Sequence, residues 1–108
     1  MFAFMTMDVY RSARELAVLV AKTHVGRATL RDQLDRAAES VVLALAEGLP
    51  HDSKPMRAQF FKRAKASLCE IAGAADLGAA VGCIDRNASD EIVALSARVR
   101  AMTIALLR

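Results

Sequence analysis

Apolar residues recur at steps of three and four along four separate stretches of this chain, and no other feature limits its fold so strongly. The first stripe is Val9, Ala13, Leu16 and Val20. The second is Leu30, Leu34, Ala37, Val41, Ala44 and Gly48. The third runs Phe61, Ala64, Leu68, Ile71, Ala75 and Gly78, and the fourth Ile92, Leu95, Val99, Met102 and Leu106. Steps of three and four put side chains on one face of a helix, because an α-helix turns once every 3.6 residues. Beta-branched residues are few and do not alternate, which argues against a sheet.

Start and stop signals bracket each stripe. Thr6 is placed to cap a first helix, with Asp8 in its first turn, and Gly26 to end it in a left-handed position. Thr29 is placed to cap the second helix, with Asp32 three residues on as a capping-box variant, and Pro50 stops it. Ser53 caps the third, and Pro55 suits a first turn because its missing N–H would have no partner there. Ser89 is placed to cap the fourth, with Asp90 and Glu91 at the positive end of its dipole. The connections are short, so consecutive helices run antiparallel. The reading is an all-α, up-down-up-down four-helix bundle occupying residues 1–108 as one domain.

Size and composition agree with that reading. A chain of 108 residues can enclose one core. With 55% hydrophobic residues, 5% aromatics and no Trp, that core is built of small and aliphatic side chains. The longest uncharged runs, such as Leu16–Ala21, fall far short of the roughly 18 apolar residues that span a bilayer. The opening MFAFMTMD has neither a basic region nor an apolar one of useful length, so no signal peptide is visible and a cytoplasmic location is expected. Cys69 and Cys83, on one helix, would be roughly 21 Å apart and unable to bridge, so both are expected to be reduced and buried.

Two stretches are apolar on every side of their helices, Leu16–Ala21 and Val41–Ala46. A helix that is apolar all round is buried all round. Val18, Leu19, Val42 and Leu43 are therefore the expected contacts between copies in a homo-oligomer.

A search for chemistry finds none that converges. A di-iron site in a bundle needs Glu-x-x-His pairs, and neither His24 nor His51 has Glu three residues before it. Two cysteines and two histidines, all far apart, make no zinc spacing. Ser67 has no histidine on its face and reads as a small residue at a helix contact. Glycine-rich phosphate loops are absent, and Gly73, Gly78 and Gly82 read as points of close approach in an Ala-rich helix. Glu47, an acid at a helix C-terminus, is expected to pair with Arg63 or Arg11. No enzyme activity, metal or cofactor is expected.

The charges are sorted. In an antiparallel bundle residues 1–15, 44–66 and 98–108 share one end. That end holds ten basic residues (Arg11, Arg14, Lys54, Arg57, Lys62, Arg63, Lys65, Arg98, Arg100 and Arg108) against four acids, Asp8, Glu15, Glu47 and Asp52, a net charge of +6. The whole chain carries only +3, so the other end is acidic. A basic surface of this kind draws polyanions by releasing their counterions. Few aromatics interleave with these cations, so stacking of single strands is not expected from the sequence.

Order and spacing add one more inference. The chain carries Met7-Asp8-Val9-Tyr10 followed by Ala13-Arg14-Glu15-Leu16. Next come Gln33, Arg36, Ala37 and Ser40, then Ala46-Glu47-Gly48, and then Phe60, Ala64, Ser67, Leu68 and Glu70. This succession resembles the bacterial four-helix-bundle family of 23S rRNA intervening-sequence proteins, which includes the accessory protein of diversity-generating retroelements. The likeness runs from about Met7 to Leu107. It departs at Ala44, where the family often has Asn, and at Ala66, where Gly is usual. The resemblance implies a pentameric ring of bundles. For the retroelement member it also implies binding of nucleic acid and of a reverse transcriptase through basic surface. The expected function is a non-enzymatic homo-oligomer that binds nucleic acid, RNA before DNA, through the basic end. The competing class is an assembly scaffold or accessory subunit that receives a protein and no nucleic acid.

Overall fold

The computed structural model describes all of residues 1–108 and contains no strand. A short 3-10 turn, Ala3–Thr6, leads into α1 (Asp8–Lys22), α2 (Ala28–Gly48), α3 (Lys54–Ala80) and α4 (Arg86–Leu106). Each helix packs against its sequence neighbours, and α1 closes the square against α4. The molecule measures 44 × 25 × 20 Å. Its long axis is about the length of α3, since 27 residues rising 1.5 Å each give roughly 40 Å.

The core is aliphatic and small, as the stripes require. Leu16, Leu34, Val41, Leu45, Leu68, Ile71, Ile92 and Val99 are wholly enclosed. Phe61 is the only buried aromatic. Alanines at 13, 37, 44, 64 and 75 let the backbones approach. Two glycines do the same for stated reasons. A Cβ at Gly48 would lie 2.7 Å from Cβ of Phe60, and one at Gly78 would lie 2.7 Å from Cγ1 of Ile84.

Three polar contacts tie helices together inside this packing. The Ser67 hydroxyl donates to Oγ of Ser40 at 2.9 Å, joining α3 to α2. The Ser89 hydroxyl donates to the carbonyl of Ala75 at 2.9 Å, joining α4 to α3. Arg31 on α2 reaches back to the end of α1, donating to the carbonyls of Thr23 at 2.7 Å and Val20 at 2.8 Å. It thereby satisfies the Thr23 carbonyl and adds a second donor to the Val20 carbonyl, which already accepts from the Thr23 N–H at 3.2 Å.

Several expected boundaries move. Ser53 caps α3 as read, accepting from the Met56 N–H at 3.4 Å. Thr6 does not cap α1: its hydroxyl donates to Ala3 O at 2.8 Å and closes the preceding turn, leaving Met7 as an uncapped start. Thr29 lies inside the first turn of α2, which begins at Ala28 after Arg27. Ser89 is not a cap either. Asp85 takes that place, accepting from the Ala88 N–H at 3.2 Å, and Ser89 is buried in the core. Gly26 is not left-handed: it donates its N–H to Cys83 O at 2.8 Å, bridging the α1–α2 and α3–α4 connections. The one left-handed residue is Gly82, at φ 81°, just past the end of α3 and outside the helix it was read into. Cys69 is exposed on α3, and Cys83 is half-buried in the α3–α4 connection.

Candidate nucleic-acid interface

The basic end is assembled from all four helices. The start of α3 meets the end of α4 around a cleft lined by Lys54, Arg57, Ala58, Phe61, Leu106, Leu107 and Arg108. The end of α2 reaches the same region, because Gly48 lies against Phe60 and Phe61. The start of α1 lies beside the last turns of α2, where Tyr10 and Arg14 share a groove with Val42 and Leu43.

The ion pairs are distributed unevenly. The protein has three, Arg31–Asp35 at 2.6 Å, Arg86–Asp76 at 3.3 Å and Arg86–Asp90 at 4.0 Å. All three lie in the acidic half. None of the ten basic residues at the other end has an acidic partner. The expected pairing of Glu47 with Arg63 or Arg11 does not occur. Arg63 instead lays its guanidinium over the Phe60 ring, 5.5 Å from the centroid. A cation over an aromatic face is held by the ring's quadrupole, so it keeps its place without a counter-charge.

The nine cations assigned to nucleic acid have different surroundings. Arg11, Lys54, Lys62, Arg63 and Arg98 are exposed. Lys65 is half-buried beside its helix. Arg57 is committed in part to the fold, since its Nη1 donates to His51 O at 2.7 Å and Asp52 O at 3.1 Å and so holds the α2–α3 connection. Arg14 stands on the wall of an apolar groove between α1 and α2, with Glu39 on the other wall. Arg100 flanks a shallow groove between α3 and α4, together with Cys69, Val93 and Ser96.

The four apolar residues assigned to subunit contacts separate into two sets. Val18, Val42 and Leu43 line the α1–α2 groove with Tyr10, Ala17 and Ala21. Val18 is 46% exposed and Leu43 58%. Leu19 is outside the groove and packs against the protomer's own core; Val42 packs on the core as well, from within the groove. A helix advances 100° per residue, which turns Leu19 to the other flank of α1 from the groove. Sequence reasoning missed Tyr10, Ala17, Ala21 and Glu39 as members of this surface. On α1, Tyr10, Arg14, Ala17 and Ala21 stand at steps of four, three and four, which was a usable signal.

No three His, Cys, Asp or Glu side chains gather in a geometry that could hold a metal ion. No helix is long and apolar enough to cross a membrane. What stands is an all-α, antiparallel four-helix bundle with one basic end free of ion pairs and one exposed apolar groove. The family model described as 23S rRNA-intervening sequence protein matches residues 5–105, and the chain belongs to that family. No curated protein matches the chain with significant similarity.

Proposed function

We propose that the protein is a non-enzymatic, self-associating bundle that binds nucleic acid, RNA in preference to DNA, through its basic end. The observation that carries this reading is the absence of any ion pair among the ten cations of that end, while the acidic half keeps all three pairs to itself. Unpaired cations grouped at net +6 repel one another, and a polyanion relieves that repulsion while releasing its own counterions. The family's name, with its reference to intervening sequences of ribosomal RNA, favours RNA as the polyanion. The cations sit on helix faces and no groove-reading motif is present, so the contacts position the nucleic acid and do not read its sequence.

Self-association uses the α1–α2 groove. Val18 and Leu43 are large, apolar and open to solvent on neighbouring helices, and a second copy would remove both from water. Copies joined side by side bring their basic ends together. The resemblance to ring-forming relatives makes five copies the expected number.

The experiment is a salt series. Lys54, Lys62 and Arg98 are exposed and have no partner in the fold, so the triple variant K54E/K62E/R98E leaves the bundle intact. Arg57 is left alone because it holds the α2–α3 connection. Affinity of the wild type for RNA falls with log salt by roughly 0.7 to 0.9 log units per phosphate neutralised. The variant binds more weakly on every RNA sequence and with a shallower slope. An interaction indifferent to salt, or no RNA retained at low salt, overturns the reading in favour of a protein scaffold.

A further inference from the structure

Every Phe and Tyr of this chain is at the basic end. Phe2, Phe4, Tyr10, Phe60 and Phe61 all fall within residues 1–15 and 44–66, and the other half of the molecule has none. Phe61 is buried in the core, and Tyr10 packs on its edge while lining the α1–α2 groove. Phe2 is 69% exposed and lies stacked on Phe4, with centroids 5.8 Å apart and planes 15° from parallel. Phe4 in turn meets Tyr10 edge to face at 5.1 Å, which fixes the pair to the start of α1. Across the same end, Phe60 is half-buried beside His51, centroids 6.0 Å apart, and carries the Arg63 guanidinium over its ring. Phe2 and Phe4 lie outside that core, and Phe60 is only partly enclosed where it meets Gly48.

We propose that the basic end takes single-stranded nucleic acid, with unpaired bases stacked on the outer face of the Phe2–Phe4 pair and on the Phe60–Arg63 platform. The proposal rests on the nucleic-acid reading above and names the form of nucleic acid. Stacking needs a free base face. A duplex offers none, because its bases already stack on one another and an RNA helix shows a protein only phosphates, 2′-hydroxyls and base edges. Rings set among cations suit a single strand, since phosphates meet Lys and Arg while bases meet aromatic or guanidinium planes. Every base has a π-face, so this device is tolerant of sequence and consistent with phosphate contacts that do not read it. Tyr10 is followed by Arg11, and Phe60 and Phe61 by Lys62 and Arg63, but these two groups meet at one end only in the folded molecule. Along the chain, 49 residues separate Tyr10 from Phe60.

The test compares a labelled oligouridine with an RNA duplex of equal phosphate number, by fluorescence anisotropy across a salt series. The proteins are wild type, Phe2→Ala, Phe60→Ala, the double variant and Phe2→Trp. The single strand binds the wild type more tightly than the duplex. Each Ala variant loses about ten-fold on the single strand with an unchanged salt slope, because stacking neutralises no phosphate, and its duplex binding stays the same. Phe2→Trp keeps wild-type affinity. Phe2 lies outside every α-helix, so its variants keep the bundle and its helical circular dichroism. Equal affinity for both forms, equal loss on both, or a change in self-association with RNA affinity intact overturns the stacking proposal and leaves the electrostatic reading standing. Failure of both RNAs to bind at low salt overturns the electrostatic reading and this proposal with it.

Discussion

Glycine shows how differently one residue type can be constrained in one helix bundle. Gly48 faces Phe60 and Phe61 so closely that a methyl group would have to displace them. Gly48→Ala should therefore destabilise by about 1–3 kcal/mol through overpacking, read as a fall in the thermal or urea midpoint. Gly73 lies in the middle of α3 with nothing within 4 Å of where a Cβ would stand. Gly73→Ala should raise stability by up to about 1 kcal/mol, since Ala is the better helix former and no clash opposes it. Both glycines sit on helices rich in alanine, so the sequence alone does not tell them apart. Only the neighbour across the interface does. Ser96 makes the same point for a polar group. It is buried on α4 and its hydroxyl has no partner in the fold.

At the scale of the helix, caps were the least legible feature. Ser, Thr, Asn and Asp are abundant near every break, and each can spend its side chain in more than one way. Thr6 spends its hydroxyl on the turn behind it, and Ser89 spends its own on α3. Asp85 is the less conspicuous candidate, because Ser89 stands near the same break and is followed directly by Asp90 and Glu91. Asp85→Ala should cost about 0.5–2 kcal/mol, and amide exchange should rise first in the opening turn of α4. The stripes were far more legible, because a face of a long helix is set by many residues at once. Residues 9, 13, 16 and 20 of α1 are all buried, as their spacing requires. The arginine at 31 reaching across to the end of α1 had no signal in the sequence, since its reach depends on how two helices are placed.

The whole molecule is a square of helices with two distinctive exposed surfaces, one charged and one apolar. If the α1–α2 groove is where copies meet, a charge within it is incompatible with assembly. Leu43→Glu should shift the protein to monomer in sedimentation at micromolar concentration, with helix content unchanged, because Leu43 is exposed and contributes little to the core. Leu19→Glu makes a useful contrast. Leu19 packs on the core, so that change should lower the melting temperature of the protomer itself. RNA affinity should fall in the monomeric Leu43→Glu variant, because separate copies lose the gain of several basic ends acting on one strand.

The sequence by itself determined the helices, their antiparallel order, the aliphatic core and the sorting of charge to one end. Each of these follows from period, length and the reach of short connections, which are local properties of the chain. The tertiary structure alone decided the partners. It left Glu47 without an ion pair, turned Leu19 inward while Leu43 stayed outside, and set the exposed aromatic rings among unpaired cations, whereas Arg63 over Phe60 follows from their spacing of three on one helix. The physical reason is common to those three. A partner is a neighbour in space, and which side chains become neighbours depends on the rotation and height of each helix against the next, set by the packing of the whole core.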